Sequence, residues 1–102
     1  MNNNNIEKDG FEEKDCKEID ESDKKTIKEL ITYAFKIINC NMERAKYIKE
    51  RLDEIFEGKW CCLFCTSNAE YGVYYSYYTN YIKYIFIDDN KEYIIIIFKQ
   101  SI

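Results

Sequence analysis

Apolar residues fall at spacings of three and four through the first half of the chain. Ile27, Leu30, Ile31, Ala34, Ile37 and Ile38 form one stripe of an amphipathic helix. Asp20 or Ser22 is placed to accept from the first free N–H groups, and Asp20, Glu21 and Asp23 suit the positive helix end. Asn39 to Asn41 reads as a break, because asparagine tolerates the left-handed conformation that ends a helix and also caps a following one. A second helix is predicted from about residue 41 to residue 56, where Met42, Ala45, Ile48, Leu52, Ile55 and Phe56 keep the period. Lys46, Lys49, Glu50 and Asp53 take its wet face, and Gly58 ends it without a Cβ clash.

Beyond Gly58 the period changes to that of strands. Lys59 to Cys65 is rich in β-formers, and residues 66–70 make a polar turn. Residues 71–79 alternate, with Val73, Tyr75 and Tyr77 on one face and Tyr74, Ser76 and Tyr78 on the other. A third strand covers residues 84–87, and Asp88-Asp89-Asn90-Lys91 forms a turn. Residues 93–98 are apolar enough for burial on both faces. Two helices followed by strands with short connections make an α+β fold, the helices packed on an antiparallel sheet. The domain is expected over residues 19–102. Residues 1–18, with the run Asn2 to Asn5 and the charged stretch Glu12-Glu13-Lys14-Asp15, read as a disordered acidic and asparagine-rich tail. A short first strand near residues 16–19 is the alternative.

Length and composition narrow the class. The chain has 102 residues, enough for one domain with a modest core that would gain from association. An apolar and aromatic content of 46% with ten tyrosines excludes a wholly disordered chain. Residues 93–98, the longest apolar run, are too short to span a bilayer, and the N-terminus does not resemble a signal peptide, so a soluble cytoplasmic protein with no membrane partner is expected. Residues 1–25 hold nine acids and five lysines, while the rest holds ten acids and ten bases. A nucleic-acid binder needs a basic stripe, which is not visible here. Five cysteines, Cys16, Cys40, Cys61, Cys62 and Cys65, point to free thiols in a reducing compartment.

Little here favours catalysis. Cys62 and Cys65 have C-x-x-C spacing, but a structural zinc site needs four ligands and a redox pair works at a helix N-terminus. Ser22, Ser67, Ser76 and Ser101 have no histidine to activate them, and Gly10, Gly58 and Gly72 build no phosphate cradle. The acid pair Asp88-Asp89 sits in a turn. A non-enzymatic protein without cofactor or metal is expected. Residues 71–79 admit two readings. One is an ordinary half-buried strand whose tyrosines reflect β-propensity. The other is an edge strand, lacking lysine and proline gatekeepers, that receives another chain.

The order Lys59-Trp60-Cys61-Cys62, Tyr71-Gly72, Ile85-Phe86-Ile87 and Ile95-Ile96-Ile97-Phe98-Lys99, together with the helix-pair spacing, resembles the smallest dynein light chains, the LC-eight type, over about residues 19–102. The resemblance implies a strand-exchanged homodimer in the dynein complex of the cytoskeleton. Two grooves at its interface would each accept an extended peptide as an added strand, with dynein intermediate chain among the partners. By the same resemblance the pairing strand comprises Gly72, Val73, Tyr74, Tyr75, Ser76, Tyr77 and Tyr78. Gly72 allows close backbone approach, and Ser76 stands where the family has a threonine. Tyr71, Ile82, Tyr84 and Phe86 would line the groove floor. Trp60, Cys61, Tyr74 and Tyr75 would lie at the dimer interface.

Some positions depart from the family. Its members place an acid and a lysine at the start of the second helix, where they help to read the glutamine of a T-Q-T-like motif. This chain has Asn41 and Met42 there. Tyr77 replaces the usual histidine of the pairing strand, and Cys61 replaces the interface histidine linked to acid-induced dissociation, so that pH switch should be absent. Alternatives to this reading are a motor subunit with a permanently occupied groove, a single-strand nucleic-acid binder stacking bases on sheet tyrosines, and a cysteine-based metal or redox protein.

Overall fold

A computed structural model describes residues 9–65 and 80–100. The elements are β1 (Phe11–Lys17), α1 (Glu21–Ile37), α2 (Asn41–Ile55), β2 (Lys59–Cys65), β3 (Tyr81–Asp88) and β4 (Lys91–Gln100). The four strands form one antiparallel sheet in the order β1-β3-β4-β2. The expected architecture, two helices on an antiparallel sheet, is present. Residues 66–79, which include the predicted turn and the tyrosine-rich strand, lie outside the described residues.

The helix pair follows its apolar stripe with adjustments. Asp20 is the N-cap of α1 and accepts the Asp23 N–H at 2.9 Å. Ile27, Ile31, Ala34 and Phe35 are its buried residues, whereas Ile37, placed on the stripe from spacing, is 54% exposed. The break between the helices differs from the asparagine mechanism. Among the described residues, positive φ outside glycine is found at Glu18, Asp89 and Asn90, so neither Asn39 nor Asn41 is left-handed. The chain turns instead through extended conformations at Ile38 and Cys40, and Cys40, not Asn41, is the N-cap of α2. In α2 the buried row is Arg44, Ile48 and Leu52, while Met42 and Ile55 are exposed. Gly58, at φ +102°, leads the chain out, and a Cβ there would collide with the Lys99 side chain.

The reading of residues 11–17 as part of a disordered tail is corrected. They form β1, paired with β3 from Phe11 opposite Phe86 to Lys17 opposite Tyr81, with a bulge between Glu13 and Asp15. One aromatic anchors this charged stretch. Phe11 is 1% exposed; its ring stacks on Phe86 at 4.4 Å and meets Tyr84 edge-on at 5.1 Å. The flanking charges work locally: Lys24 of α1 binds Glu13 at 3.0 Å and Lys28 binds Asp9 at 3.2 Å. The Glu13 hydrogen bond is the main reason that the Lys24 ammonium is pushed up to about 12.

At the C-terminal end of β3, the turn predicted at Asp88 to Lys91 is a two-residue hairpin loop. Asp89 and Asn90 both take positive φ, as a primed turn demands. In β4, Ile94, Ile95, Ile96 and Ile97 are all buried, as expected for a strand covered on both faces. Ile95 and Ile97 join Ile82, Tyr84, Phe86 and Trp60 in the core under the helices. Ile94 and Ile96 join Tyr81 in a second cluster on the opposite face, with Ile85 and Phe98 packed against it.

Candidate functional site: two sheet edges and a second apolar face

The two outer strands of the sheet differ in chemistry. β1 presents Glu12, Glu13, Lys14 and Asp15 and carries a bulge. Charges and a bulge are the usual devices that stop a sheet edge from recruiting another strand. After Lys59, β2 runs Trp60-Cys61-Cys62-Leu63-Phe64-Cys65 without a charge. Among the described residues no strand pairs with the outer side of β2. Its register against β4 sets Cys61 beside Phe98 and Leu63 beside Ile96. These residues extend the second apolar face across three strands, with Lys83 of β3 opposite Ile96 as the charge in its central rows. Leu63 is 42% exposed. The helices lie against the other face, so this face has no helical cover.

Helix α2 fixes the start of β2. Asp53, in its last turn, accepts the Trp60 backbone N–H at 2.8 Å and is ion-paired with Lys49. Trp60 is 5% exposed; its indole N–H donates to the Glu57 carbonyl at 3.2 Å, and Phe56 packs on the ring. Burial alone would raise the Asp53 carboxyl, but the bonds from Lys49 and the Trp60 N–H outweigh it and hold it below its ordinary value. A carboxyl lowered by folding contributes stability above its unfolded value of about 3.9, and that contribution is lost as pH falls through the folded value. Asp53→Asn is expected to cost about 1 kcal/mol at pH 7. It should also flatten the fall in stability below about pH 4, as urea titrations at several pH values would show.

The sequence-predicted site residues other than Trp60 and Cys61 divide into three groups. Tyr71, Gly72, Val73, Tyr74, Tyr75, Ser76, Tyr77 and Tyr78 lie outside the described residues. Ile82, Tyr84 and Phe86 are at most 5% exposed and sit in the core beneath the helices. Asn41 and Met42 open α2, with Met42 76% exposed. A line of contacts joins the last two groups. Phe86 meets Phe35 at 4.9 Å, the Arg44 guanidinium lies 4.0 Å over the Phe35 ring, and Arg44 Nη1 donates to Asn41 Oδ1 at 2.8 Å. Trp60 and Cys61 are reached from the opposite end of α2. Sequence reasoning missed Arg44, although it stands four residues before Ile48 on the row that continues to Leu52, a spacing that places it inward.

The cysteine cluster lies on a strand, away from any helix N-terminus. Burial pushes the Cys62 thiol far up and the Cys61 thiol up as well, which disfavours the thiolate that redox or metal chemistry needs. Among the described residues no three His, Cys, Asp or Glu side chains converge in a metal-binding group. No helix among them is long and apolar enough to cross a membrane.

None of the curated proteins compared with the chain matches it. A family model described as dynein light chain type 1 matches residues 14–100, a span that includes all of α1, α2 and the four-stranded sheet except the first three residues of β1. With that match over most of its length, the chain belongs to the dynein light chain type 1 family, whose members are generally non-enzymatic adaptor subunits of dynein.

Proposed function

We propose that this dynein subunit works as a homodimeric hub that binds extended peptide segments of its partners by strand addition. The observation that carries this reading is the contrast between the two sheet edges, joined to the second apolar face. An uncharged run at a sheet edge is a pairing template, and the apolar face of the sheet continues onto that edge at Leu63, which is 42% exposed in the single chain. A second copy, contributing residues 71–79 along β2, would pair with the edge and cover Leu63. Trp60, Cys61, Tyr74 and Tyr75 then belong to the interface. Tyr71 and the strand Gly72 to Tyr78 offer the next edge to a peptide, over a floor backed by Ile82, Tyr84 and Phe86. Asn41 and Met42 border the groove. Dynein intermediate chain is the partner that the family membership favours, in the cytoplasm and on the cytoskeleton. Two tethered grooves strengthen weak strand addition by raising the effective concentration of the second site.

Sedimentation equilibrium of the purified chain, repeated with a threefold excess of a T-Q-T-type peptide, tests the proposal. The expected result is a dimer that takes up two peptides. A dimer that ignores every extended peptide would leave the assembly and remove the hub, while a monomer under all conditions would remove the composite groove. The chain has no histidine, and histidine is the side chain whose ordinary titration falls between pH 5 and 8. The dimer constant is therefore expected to change less than about twofold between pH 7 and pH 5.5 in the same experiment.

A further inference from the structure

We propose that the outer face of α1 is a second docking surface, which takes an acidic, extended segment of a partner protein with an apolar anchor between its acids. This inference does not rest on strand addition at β2, because the surface lies on the helical layer.

A groove of about 400 Å³ runs beside α1, with Phe11 at its floor and Asp9, Lys25, Lys28, Tyr33 and Lys36 around it. That size is within the range of about 300 to 1,000 Å³ for pockets that hold ligands. The exposed residues of α1 are polar or charged apart from Tyr33 and Ile37, which are 50% and 54% exposed. A half-exposed aromatic on an otherwise wet helix face calls for a reason. Tyr33 is also held from the α2 side. Its ring packs on Tyr47 at 5.9 Å, the Arg51 guanidinium lies 5.6 Å from the Tyr47 centroid, and Arg51 Nη2 is tied to Glu54 at 2.7 Å. On the β1 side Asp9 holds Lys28 at 3.2 Å, with the ammonium 5.6 Å from the Phe11 ring. Both walls are thus set before a ligand arrives, which lowers the entropy lost on binding.

The charges select the partner. Lys28 is matched by Asp9, whereas Lys25 and Lys36 have no ion pair among the described residues. Glu29, also without an ion pair among them, is the remaining charge of the lining, so the surplus is positive. A solvated lysine row would explain the charges, but not a held aromatic between them. Lys25 and Lys36 stand about 16 Å apart along the helix axis. An extended chain covers that distance in about five residues. The complement is a segment with carboxylates at that separation and an apolar side chain between them, which packs on Tyr33 above Phe11. A nucleic acid fits worse. Duplex charges follow one another at about 1.7 Å and would meet Asp9, Glu21 and Glu29 as well as the lysines.

The test uses the full chain and a fluorescent, capped peptide of sequence Glu-Glu-Ser-Phe-Ser-Glu-Glu, followed by anisotropy at low salt. Saturable binding is expected, weakening as ionic strength rises. Lys36→Glu and Tyr33→Ser should each weaken it about tenfold, and Glu29→Gln should tighten it about threefold. Lys46→Glu makes the same charge change on an exposed position of α2 outside the groove, and should alter the affinity by less than about twofold. All four positions are exposed, so the variants are expected to fold as the parent does. Equal weakening by Lys46→Glu and Lys36→Glu would overturn the inference, because the attraction would then be general. So would an unchanged affinity in Tyr33→Ser, tighter binding of an oligothymidylate of the same length, or no saturable binding by the unaltered chain.

Discussion

Phe11→Ala is expected to lower stability by about 3 to 4 kcal/mol, the range for removing a buried aromatic ring. The residue lies in a stretch whose composition reads as solvated. Phe11 makes three kinds of contact at once: a stack on Phe86, an edge contact with Tyr84, and a place 5.6 Å beneath the Lys28 ammonium. Its loss would open a cavity under α1 and release β1 from β3. The charged residues that follow it cannot hold the strand alone, because exposed ion pairs contribute roughly 1 kcal/mol or less each. Urea denaturation of Phe11→Ala beside Glu12→Ala would show the contrast, with the second expected within about 0.5 kcal/mol of the parent. A loss at Phe11 below about 1 kcal/mol would mean that β1 is not part of the cooperative fold.

Leu63→Lys should separate the copies while leaving each one folded. Leu63 is on the uncharged outer strand and is 42% exposed in the single chain, so the substitution should change the stability of one chain by no more than about 0.5 kcal/mol. In the proposed dimer the same position faces the second copy. An unpaired ammonium buried there would cost about 3 kcal/mol, which weakens association roughly a hundredfold. Lysine is also the residue that natural sheets use to blunt an edge, as Lys14 already does on β1. Sedimentation equilibrium across protein concentrations reads the constant directly, and a circular dichroism melt at low concentration checks the fold. If the variant dimerises as tightly as the parent, β2 is not at the interface. Failure of the peptide-binding test would leave this result unaffected, since the two experiments address different surfaces.

The parts of the fold that could be read from sequence are those with local causes. The apolar stripe of α1 and α2 repeats within a few residues, so spacing alone located both helices. Gly58 and the pair Asp89-Asn90 mark backbone conformations that other residues adopt at a cost, so the end of α2 and the β3–β4 hairpin were legible too. The run Ile94-Ile95-Ile96-Ile97 is apolar at every position, which left burial on both faces as its consistent reading. The order and spacing of the Lys59-Trp60, Tyr71-Gly72 and Ile95 to Lys99 segments pointed to the dynein light chains, and the family match over residues 14–100 bears that out.

Sequence by itself thus determined the helix pair, the hairpin, the doubly covered strand and the family. Tertiary structure decided the rest, because the interactions concerned join residues far apart in the chain. β1 exists through Phe11 meeting Phe86 and Tyr84, more than seventy positions on, and no local pattern within residues 11–17 carries that contact. Arg44 is inside because Phe35 and Tyr93, from two other elements, build an aromatic surface that accepts a guanidinium. The difference between a guarded edge at β1 and an unguarded one at β2 appears only once the strand order β1-β3-β4-β2 is known. A strand's own residues specify which groups it offers, but its position in the sheet decides whether those groups meet a neighbour, solvent or a second chain.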